Sequence, residues 1–223
     1  MTSIHRRKAS LFGSTALVKF LGLAALGLAP MACLTSAHAQ TLPTGGSVAA
    51  GTATVATAAN TLTVTQTSQN AVLNWQSYSI GANDAVVYVQ PNSNAVALNR
   101  VTGPDPSAIL GSLSANGKVF LVNPNGVVFG KGANVNVGGL VASTLDLSDA
   151  DFMNGKYAFE GNAGSVRNEG SITADGGYVA LLGGHVDNRG VIRATLGTVA
   201  LAAGNKITLD VAGDGRHLRQ RRV

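Results

Sequence analysis

Few residues in this chain are of the types that carry catalysis or bind metals. The 223-residue sequence contains one cysteine, Cys33, and four histidines, of which only His185 and His217 lie beyond position 39. A zinc site needs several cysteine or histidine ligands at short spacing, and no such spacing occurs. We therefore expect no metal site, no cofactor and no cysteine nucleophile.

Three patterns come close to binding or catalytic motifs without matching them. Residues 126–131 have three residues between their glycines, where a phosphate-binding loop has four. No Gly-x-Ser-x-Gly elbow is present, and residues 210–215 lack the spacing of a calcium loop. His185 and Asn205 stand at equivalent positions of an internal repeat, which indicates a corner residue rather than a catalytic one.

The most informative stretch is residues 118–130. Two short apolar runs flank the tetrad Asn123, Pro124, Asn125 and Gly126. Each run predicts a buried strand, and the tetrad predicts a tight turn, because proline fixes φ at about −65° and Asn-Gly tolerates positive φ. Taken alone, the stretch has the pattern of a β-hairpin. In a fold of parallel repeats it would instead be a corner, with its two strands pairing to neighbouring repeats.

Residues 1–39 have the pattern of a secretory signal peptide. A basic start precedes the apolar run of residues 20–29, which is too short to span a bilayer comfortably. Ala37 and Ala39 place small residues at positions −3 and −1, so we predict cleavage between Ala39 and Gln40. An uncleaved anchor is the alternative.

Removal of this leader would change the charge of the chain. Residues 40–223 carry 12 basic against 11 acidic side chains, and four of the twelve are the arginines of residues 216–222. The pI of about 9.7 therefore belongs to the two ends and does not indicate nucleic-acid binding by the body. No apolar run after Gln40 approaches the roughly 18 residues of a membrane-spanning helix, so we expect no stable membrane span.

An internal repeat predicts the fold. Residues 166–185 and 186–205 are identical at ten aligned positions without a gap, and residues 111–117 resemble residues 170–176 of the same unit. A unit of this length is too short for a pair of helices. It suits one coil of a β-solenoid, in which two or three short strands are joined by corners.

The solenoid predicts specific positions for the repeated residues. Ile172 should point inward and Ser171 outward, and Asn168 should stack on its equivalent Asn188 at about 4.8 Å per coil. Glycines such as Gly170 and Gly177, with their equivalents in the next repeat, should occupy corners of positive φ. At about 20 residues per coil, the mature chain would form roughly eight or nine coils.

Two segments should depart from the regular coil. Residues 40–69 are the candidate cap of the first coil, since an uncovered end exposes core and strand edges. Trp75, the only tryptophan, should pack in or near this cap rather than stack on a ligand. Ser148 fits the N-cap of a short helix ending at Gly155, and residues 156–160 should complete a small excursion outside the solenoid; a plain loop is the alternative.

Three runs of residues resemble a known family. They are Val-Ala-Leu-Asn-Arg-Val at 96–101, Ile-Leu-Gly-Ser-Leu-Ser-Ala-Asn-Gly at 109–117, and the strand, turn and strand of 119–130. Together they resemble the N-terminal two-partner-secretion (haemagglutination activity) domain of filamentous-haemagglutinin-like exoproteins of Gram-negative bacteria. Residues 137–144 and 148–152 extend the resemblance, which covers about residues 40–213.

The resemblance implies an all-β fold, a right-handed parallel β-helix with an N-terminal cap and a small excursion. It implies a partner, an outer-membrane β-barrel transporter that would recognise the domain in the periplasm. The chain would cross the outer membrane unfolded and help to nucleate β-helix folding outside, so that the protein is secreted or held at the cell surface. The resemblance assigns the secretion motif to Asn123, Pro124, Asn125 and Gly126. Any host or neighbouring-cell receptor would be contacted through a passenger that is missing here.

The implied domain organisation is a signal peptide at 1–39, the secretion domain at 40–215 and a basic, disordered tail at 216–223. Family members usually continue into a long passenger, so we expect a truncated or frameshifted end, with a free-standing short exoprotein as the alternative. We expect no enzyme, because acidic and basic residues are scattered rather than clustered on one face. The alternative function is a β-helical polysaccharide-active enzyme or a free-standing surface carbohydrate-binding protein.

Overall fold

The computed structural model describes residues 41–161 and 164–210, together with the backbone of residues 218–221. These parts of the chain form 21 strands and one short helix. The predicted signal peptide, its cleavage position between Ala39 and Gln40, and His217 lie outside the described residues.

Three sheets form the walls of a parallel β-solenoid. The first contains, in spatial order, β1 (Ser47–Ala50), β4 (Asn70–Trp75), β6 (Val96–Val101), β9 (Lys118–Val122), β12 (Gly139–Ser143), β16 (Tyr178–Gly183) and β19 (Thr198–Ala203). The second contains β7 (Ser107–Ile109), β10 (Val127–Phe129), β14 (Ser165–Asn168) and β17 (His185–Asn188). The third contains β2 (Ala53–Ala58), β3 (Thr61–Gln66), β5 (Ala85–Val89), β8 (Ser112–Ala115), β11 (Asn134–Asn136), β15 (Ser171–Thr173) and β18 (Val191–Arg193).

The sequence repeat is confirmed as the register between coils. Val166 pairs with Val186, Ile172 with Ile192 and Val179 with Val199, each in a parallel ladder. β8 and β15 lie in the same sheet on either side of β11, as the resemblance of residues 111–117 to 170–176 predicts. The fold is therefore the predicted parallel β-solenoid.

Residues 118–130 form a corner and not a hairpin. β9 pairs with β6 and β12, whereas β10 pairs with β7 and β14. The two strands of this stretch thus belong to different sheets, which confirms the prediction that each pairs with neighbouring coils.

The predicted number of coils is wrong. In the part of the chain that the structure describes, the first sheet has six parallel strands, from β4 to β19, and the solenoid has about six coils. The early coils are longer than the 20-residue repeat. Asn70 pairs with Val96 in the next coil, and Val96 pairs with Lys118 in the coil after that. The cap and the excursion use the remaining residues.

Inward-facing residues stack from coil to coil into one core. One inner ladder consists of the buried residues Ala71, Ala97, Val119, Leu140 and Val179, and it ends at Val199, which is 44% exposed on the last coil. Side chains alternate as predicted in β15, where Ile172 is buried and Ser171 is exposed. Asn168 Nδ2 donates to Asn188 Oδ1 at 2.8 Å, so the predicted asparagine stack is also present.

The repeated glycines are required for a different reason than the sequence suggested. Neither Gly170 nor Gly177 has positive φ, so that prediction is wrong; the positive φ lies at Gly176, at 76°. A Cβ at Gly177 would overlap the carbonyl oxygen of Gly138, and one at Gly197 would overlap that of Gly177. Close stacking of backbones at this corner, rather than an unusual dihedral angle, excludes any side chain.

The cap is built from antiparallel strands that cover the first coil. β1 pairs antiparallel with β4, and β2 pairs antiparallel with β3. The cap is shorter than predicted, because β3 already pairs parallel with β5 and so belongs to the solenoid. Trp75 is only 1% exposed, and a Cβ at Gly46 would overlap its ring, which confirms packing against the cap.

A buried polar network lies in the core beside Trp75. Trp75 Nε1 donates to Asn99 Oδ1 at 2.9 Å, and the hydroxyl of Tyr88 donates to the same oxygen at 2.6 Å. The hydroxyls of Tyr78 and Tyr88 are 2.9 Å apart. Satisfied polar groups of this kind favour one register over its alternatives, since a shifted strand would leave them unpaired.

The excursion forms as predicted, with a helix rather than a plain loop. The helix α1 (Asp149–Met153) is capped by Ser148, whose Oγ accepts a hydrogen bond from the backbone N of Asp151 at 3.1 Å. Gly155 follows the helix with a φ of 71°. Residues 157–160 then form β13 (Tyr157–Glu160).

The excursion covers the outer face of the first sheet and creates a second hydrophobic core. Phe120 points outward from β9, and its ring centroid lies 5.7 Å from that of Phe152 and 4.9 Å from that of Tyr157. Arg100 fastens the excursion, because its guanidinium contacts Asp146 and Asp149. The central strands of the first sheet, β6, β9, β12 and β16, are consequently buried on both faces.

The predicted disordered tail is partly wrong. β13 pairs antiparallel with β20 (Lys206–Leu209), and β20 pairs antiparallel with β21 (Leu218–Arg221). The physical reason is that the free edge of β20 carries backbone donors and acceptors that an added strand satisfies.

Among the described residues, no helix combines the length and apolar character needed to cross a membrane.

Two neighbouring glycines should differ in what alanine costs. In Gly177→Ala the Cβ meets the backbone of the adjacent coil, so we expect the free energy of unfolding to fall by about 3 kcal/mol. In Gly176→Ala there is open space and only the dihedral strain remains, about 1 kcal/mol. Urea unfolding measures both values, and equal losses would contradict the stacking explanation.

Stability should decline at alkaline pH. Burial raises the pKa of Tyr78 and Tyr88 above their ordinary value of about 10. Above that pH the unfolded chain releases protons that the folded protein keeps, so the free energy of unfolding falls as the pH rises. In Tyr88→Phe the decline should be shallower by up to about 1.4 kcal/mol per pH unit. Urea unfolding from pH 8 to 11 tests this, and parallel curves for the two proteins would count against it.

Candidate functional site

The tetrad Asn123, Pro124, Asn125 and Gly126, here called the Asn123 turn, joins the first sheet to the second. It follows the end of β9 at Val122 and precedes the start of β10. Asn123 and Gly126 are buried, whereas Pro124 and Asn125 are exposed. The turn therefore has a buried base and an exposed tip.

Asn123 uses all the polar atoms of its side chain inside the fold. Its Nδ2 donates to the backbone oxygen of Asp105 and to Ser107 Oγ, both at 3.0 Å. Its Oδ1 accepts from the backbone N of Asn125 at 3.0 Å, which forms an Asx turn. The Asn123 side chain is 0% exposed, so it holds the corner and offers nothing to a partner.

The rest of the turn is fixed by backbone contacts and one further side chain. The backbone N of Gly126 donates to the oxygen of Asn123 at 3.0 Å and closes the turn. Gly126 has a φ of 126°, a conformation that favours glycine, although a Cβ there would meet nothing closer than 3.5 Å. Asn125 Nδ2 donates to the backbone oxygen of Gly103 at 2.9 Å.

Both asparagine side chains thus reach the same neighbouring segment. We call Gly103, Pro104, Asp105 and Pro106 the Gly103 turn; it occupies the same corner one coil earlier, since Ser107 pairs with Val127. None of its residues is among the site residues predicted from the sequence. A signal existed, because Pro104 and Pro124 are separated by one repeat length.

The other candidate residues are not brought together into a site. His185 is exposed at the start of β17, and its backbone N donates to the oxygen of Gly164 at 3.3 Å, as a corner residue would. Asp187 forms ion pairs with two arginines on the surface: its Oδ2 lies 3.6 Å from Arg167 Nε and 2.9 Å from Arg189 Nε. No group of three or more His, Cys, Asp or Glu residues in the described ranges is placed to hold a metal ion.

Known sequences and structures are similar to this chain over most of its length. Residues 39–221 match the family model of the TPS secretion domain. The heme/hemopexin-binding protein of Haemophilus influenzae (strain ATCC 51907 / DSM 11121 / KW20 / Rd) is 42% identical over 188 residues, which are 80% of this chain and 21% of that protein. A second heme/hemopexin-binding protein of Haemophilus influenzae is 43% identical over 130 residues, or 57% of this chain and 14% of that protein. The chain thus spans about a fifth or less of these relatives.

Two crystal structures share the fold. The HMW1 secretion domain from Haemophilus influenzae matches with a TM-score of 0.72 at 38% identity, covering 74% of this chain and 46% of that chain. The filamentous hemagglutinin secretion domain matches with a TM-score of 0.60 at 19% identity, covering 80% of this chain and 67% of that chain, and at this identity it supports the fold alone. These similarities lend no support to a polysaccharide-active enzyme or a carbohydrate-binding protein.

The two asparagines should differ in their contribution to stability. Asn123→Ala leaves the backbone groups of Asp105 and Asn125 without their partner, so we expect the free energy of unfolding to fall by about 2–3 kcal/mol. Asn125→Ala removes one bond from an exposed side chain and should cost about 1 kcal/mol or less. Urea unfolding of the two variants distinguishes the roles, and a larger loss in Asn125→Ala would contradict this assignment.

Proposed function

Because the chain belongs to the TPS secretion domain family of filamentous-haemagglutinin-like exoproteins, we propose that the Asn123 turn is the feature by which its transporter recognises it. Membership in this family implies a partner transporter in the outer membrane. Exoproteins of the family pass through the periplasm to the cell surface. The proposal concerns this domain alone and does not extend to the activity of a longer protein that contains it.

The observation that carries this proposal is the division of the turn into a fixed base and an exposed tip. The base is held by the buried side chain of Asn123, while Pro124 and Asn125 face solvent. A tip that is already rigid loses little conformational entropy when a partner binds it. Exposed turns positioned by a rigid scaffold are common sites of recognition.

Part of this turn can form before the solenoid does. The bonds from the backbone N of Asn125 to Asn123 Oδ1 and from the backbone N of Gly126 to the Asn123 oxygen both lie within the tetrad. Pro124 further restricts the unfolded chain at this point. The turn can therefore exist in a chain whose other coils have not formed, whereas its bonds to the Gly103 turn require the two adjacent coils to have stacked.

Processing of the leader is also part of the proposal. We infer a signal peptide at residues 1–39, removed between Ala39 and Gln40, a secretion domain at 40–215 and a short tail at 216–223. The anchoring of Thr41 supports a domain that begins here, because its backbone N donates to the buried Asp84 Oδ2 at 2.7 Å and its oxygen accepts from Gly81 N at 2.8 Å. The mature protein would be released or held at the cell surface.

We assign no catalytic step to this domain. Several of its described acidic and basic residues form ion pairs along the surface, as those around Asp187 illustrate. Adhesion to a host or neighbouring-cell receptor would depend on a passenger attached to the domain. The relatives named as heme/hemopexin-binding proteins are compatible with such a division, since this chain matches only 21% of the first of them.

Changing the exposed tip of the turn should reduce export without destabilising the domain. In cells that produce the chain with its cognate transporter, Asn125→Ala should lower the fraction of chain in the medium roughly tenfold, the loss expected for an important contact in an interface. The melting temperature of the purified domain should change little. Asn136→Ala is the matched control, because Asn136 is an exposed asparagine on β11, away from this corner. Export of Asn125→Ala at the wild-type level would refute the role of the tip.

A further inference from the structure

We propose that the recognised surface is formed by two stacked turns, the Asn123 turn and the Gly103 turn, and that Asp105 pairs there with a basic side chain of the transporter. This inference rests on the proposed function and extends it to a second segment of the chain. It names both the surface and the chemistry of the partner that fits it.

The stacking of the two turns follows from the register of the coils. Ser107 pairs with Val127, and the strands that follow the two turns therefore lie side by side in the second sheet. Adjacent parallel strands are about 4.8 Å apart, so the tips of the two turns lie within reach of a single partner domain.

The two asparagines fix one turn against the other. Asn123 Nδ2 donates to the backbone oxygen of Asp105 at 3.0 Å, and Asn125 Nδ2 donates to the backbone oxygen of Gly103 at 2.9 Å. Because the two donors bind two different residues of the Gly103 turn, they restrict both the position and the orientation of that turn. Asn123 and Asn125 are thus positioning residues for the Gly103 turn, in addition to any contact that Asn125 makes itself.

The exposed groups of this surface are rigid and carry one charge. The exposed residues are Pro104, Asp105, Pro106, Pro124 and Asn125. Three of these five are prolines, whose restricted backbone keeps the ordering cost of binding low. The side-chain amide of Asn125 already donates within the domain, so the carboxylate of Asp105 is the one charged group that the surface presents.

Asp105 differs from the acidic residues that form ion pairs in the described chain. Asp146, Asp149, Glu160, Glu169 and Asp187 each contact an arginine or lysine. Asp105 is in none of these pairs, and it lies in a turn that is held in place through its backbone. A fixed carboxylate outside the internal ion pairs fits a lysine or arginine on the partner, and such complementarity favours correct docking and a faster encounter.

The test compares full-length chains that differ only in this side chain. Wild type, Asp105→Asn and Asp105→Glu are each produced with the cognate transporter, and export to the medium is measured. Binding of each purified full chain to the detergent-solubilised transporter is then measured over a range of NaCl concentrations. Asp175→Asn is the control, because Asp175 is exposed in a turn at another corner.

We expect Asp105→Asn to bind roughly fivefold more weakly and to be exported less, with an unchanged melting temperature. The binding of this variant should also depend less on salt than that of wild type, because salt screens the ion pair of Asp105 and the variant lacks that pair. Asp105→Glu should restore most of the binding, and the control should behave as wild type.

Three results would overturn the inference. Wild-type binding, export and salt dependence in Asp105→Asn would leave the Asn123 turn alone as the recognised surface. A lower melting temperature in Asp105→Asn, with no recovery in Asp105→Glu, would assign Asp105 a structural role only. Failure of the wild-type chain itself to bind or be exported would refute the proposed function, and this inference with it.

Discussion

Hydrogen bonding between parallel coils at a fixed register is the constraint on which the rest of this structure depends. Because equivalent residues lie directly above one another, each corner must accept the corner of the next coil at the spacing of paired strands. This explains why Gly177 and Gly197 leave no room for a Cβ, and why Asn168 donates to Asn188. The same register places the Asn123 turn on the preceding turn of its corner, so that a local motif becomes part of a larger surface.

A second consequence concerns the first sheet, whose strands β6, β9, β12 and β16 are buried on both faces. Its inner face belongs to the core of the solenoid, and its outer face is covered by the excursion around Phe120. Arg100 ties the excursion to the sheet through Asp146 and Asp149. The excursion leaves the solenoid at the corner of the Asn123 turn, one coil later, and a Cβ at Gly164 would lie 2.6 Å from the oxygen of Pro124. The corner of the Asn123 turn is therefore bordered by the end of the excursion.

Features that depend on local sequence could be predicted, and those that depend on tertiary packing could not. The repeat, the corner at residues 118–130 and the helix capped by Ser148 are encoded by spacing and by residue type within short windows. Tertiary contacts between distant segments determine the number of coils, the strand β21 and the second core. A clue to the second core was present, because β16 is apolar at successive positions, as expected of a strand buried on both faces. The Gly103 turn was missed because proline spacing across coils has meaning only once the register is known.

The central claim is that the transporter contacts this corner of the solenoid directly. The most direct measurement is photo-crosslinking in cells that produce both proteins, with a photoreactive residue placed at position 104, 124 or 175 of the full chain. We expect an adduct with the transporter from positions 104 and 124 and none from position 175, which lies at a different corner. Adducts of equal yield from all three positions, or none from 104 and 124 while export proceeds, would contradict it.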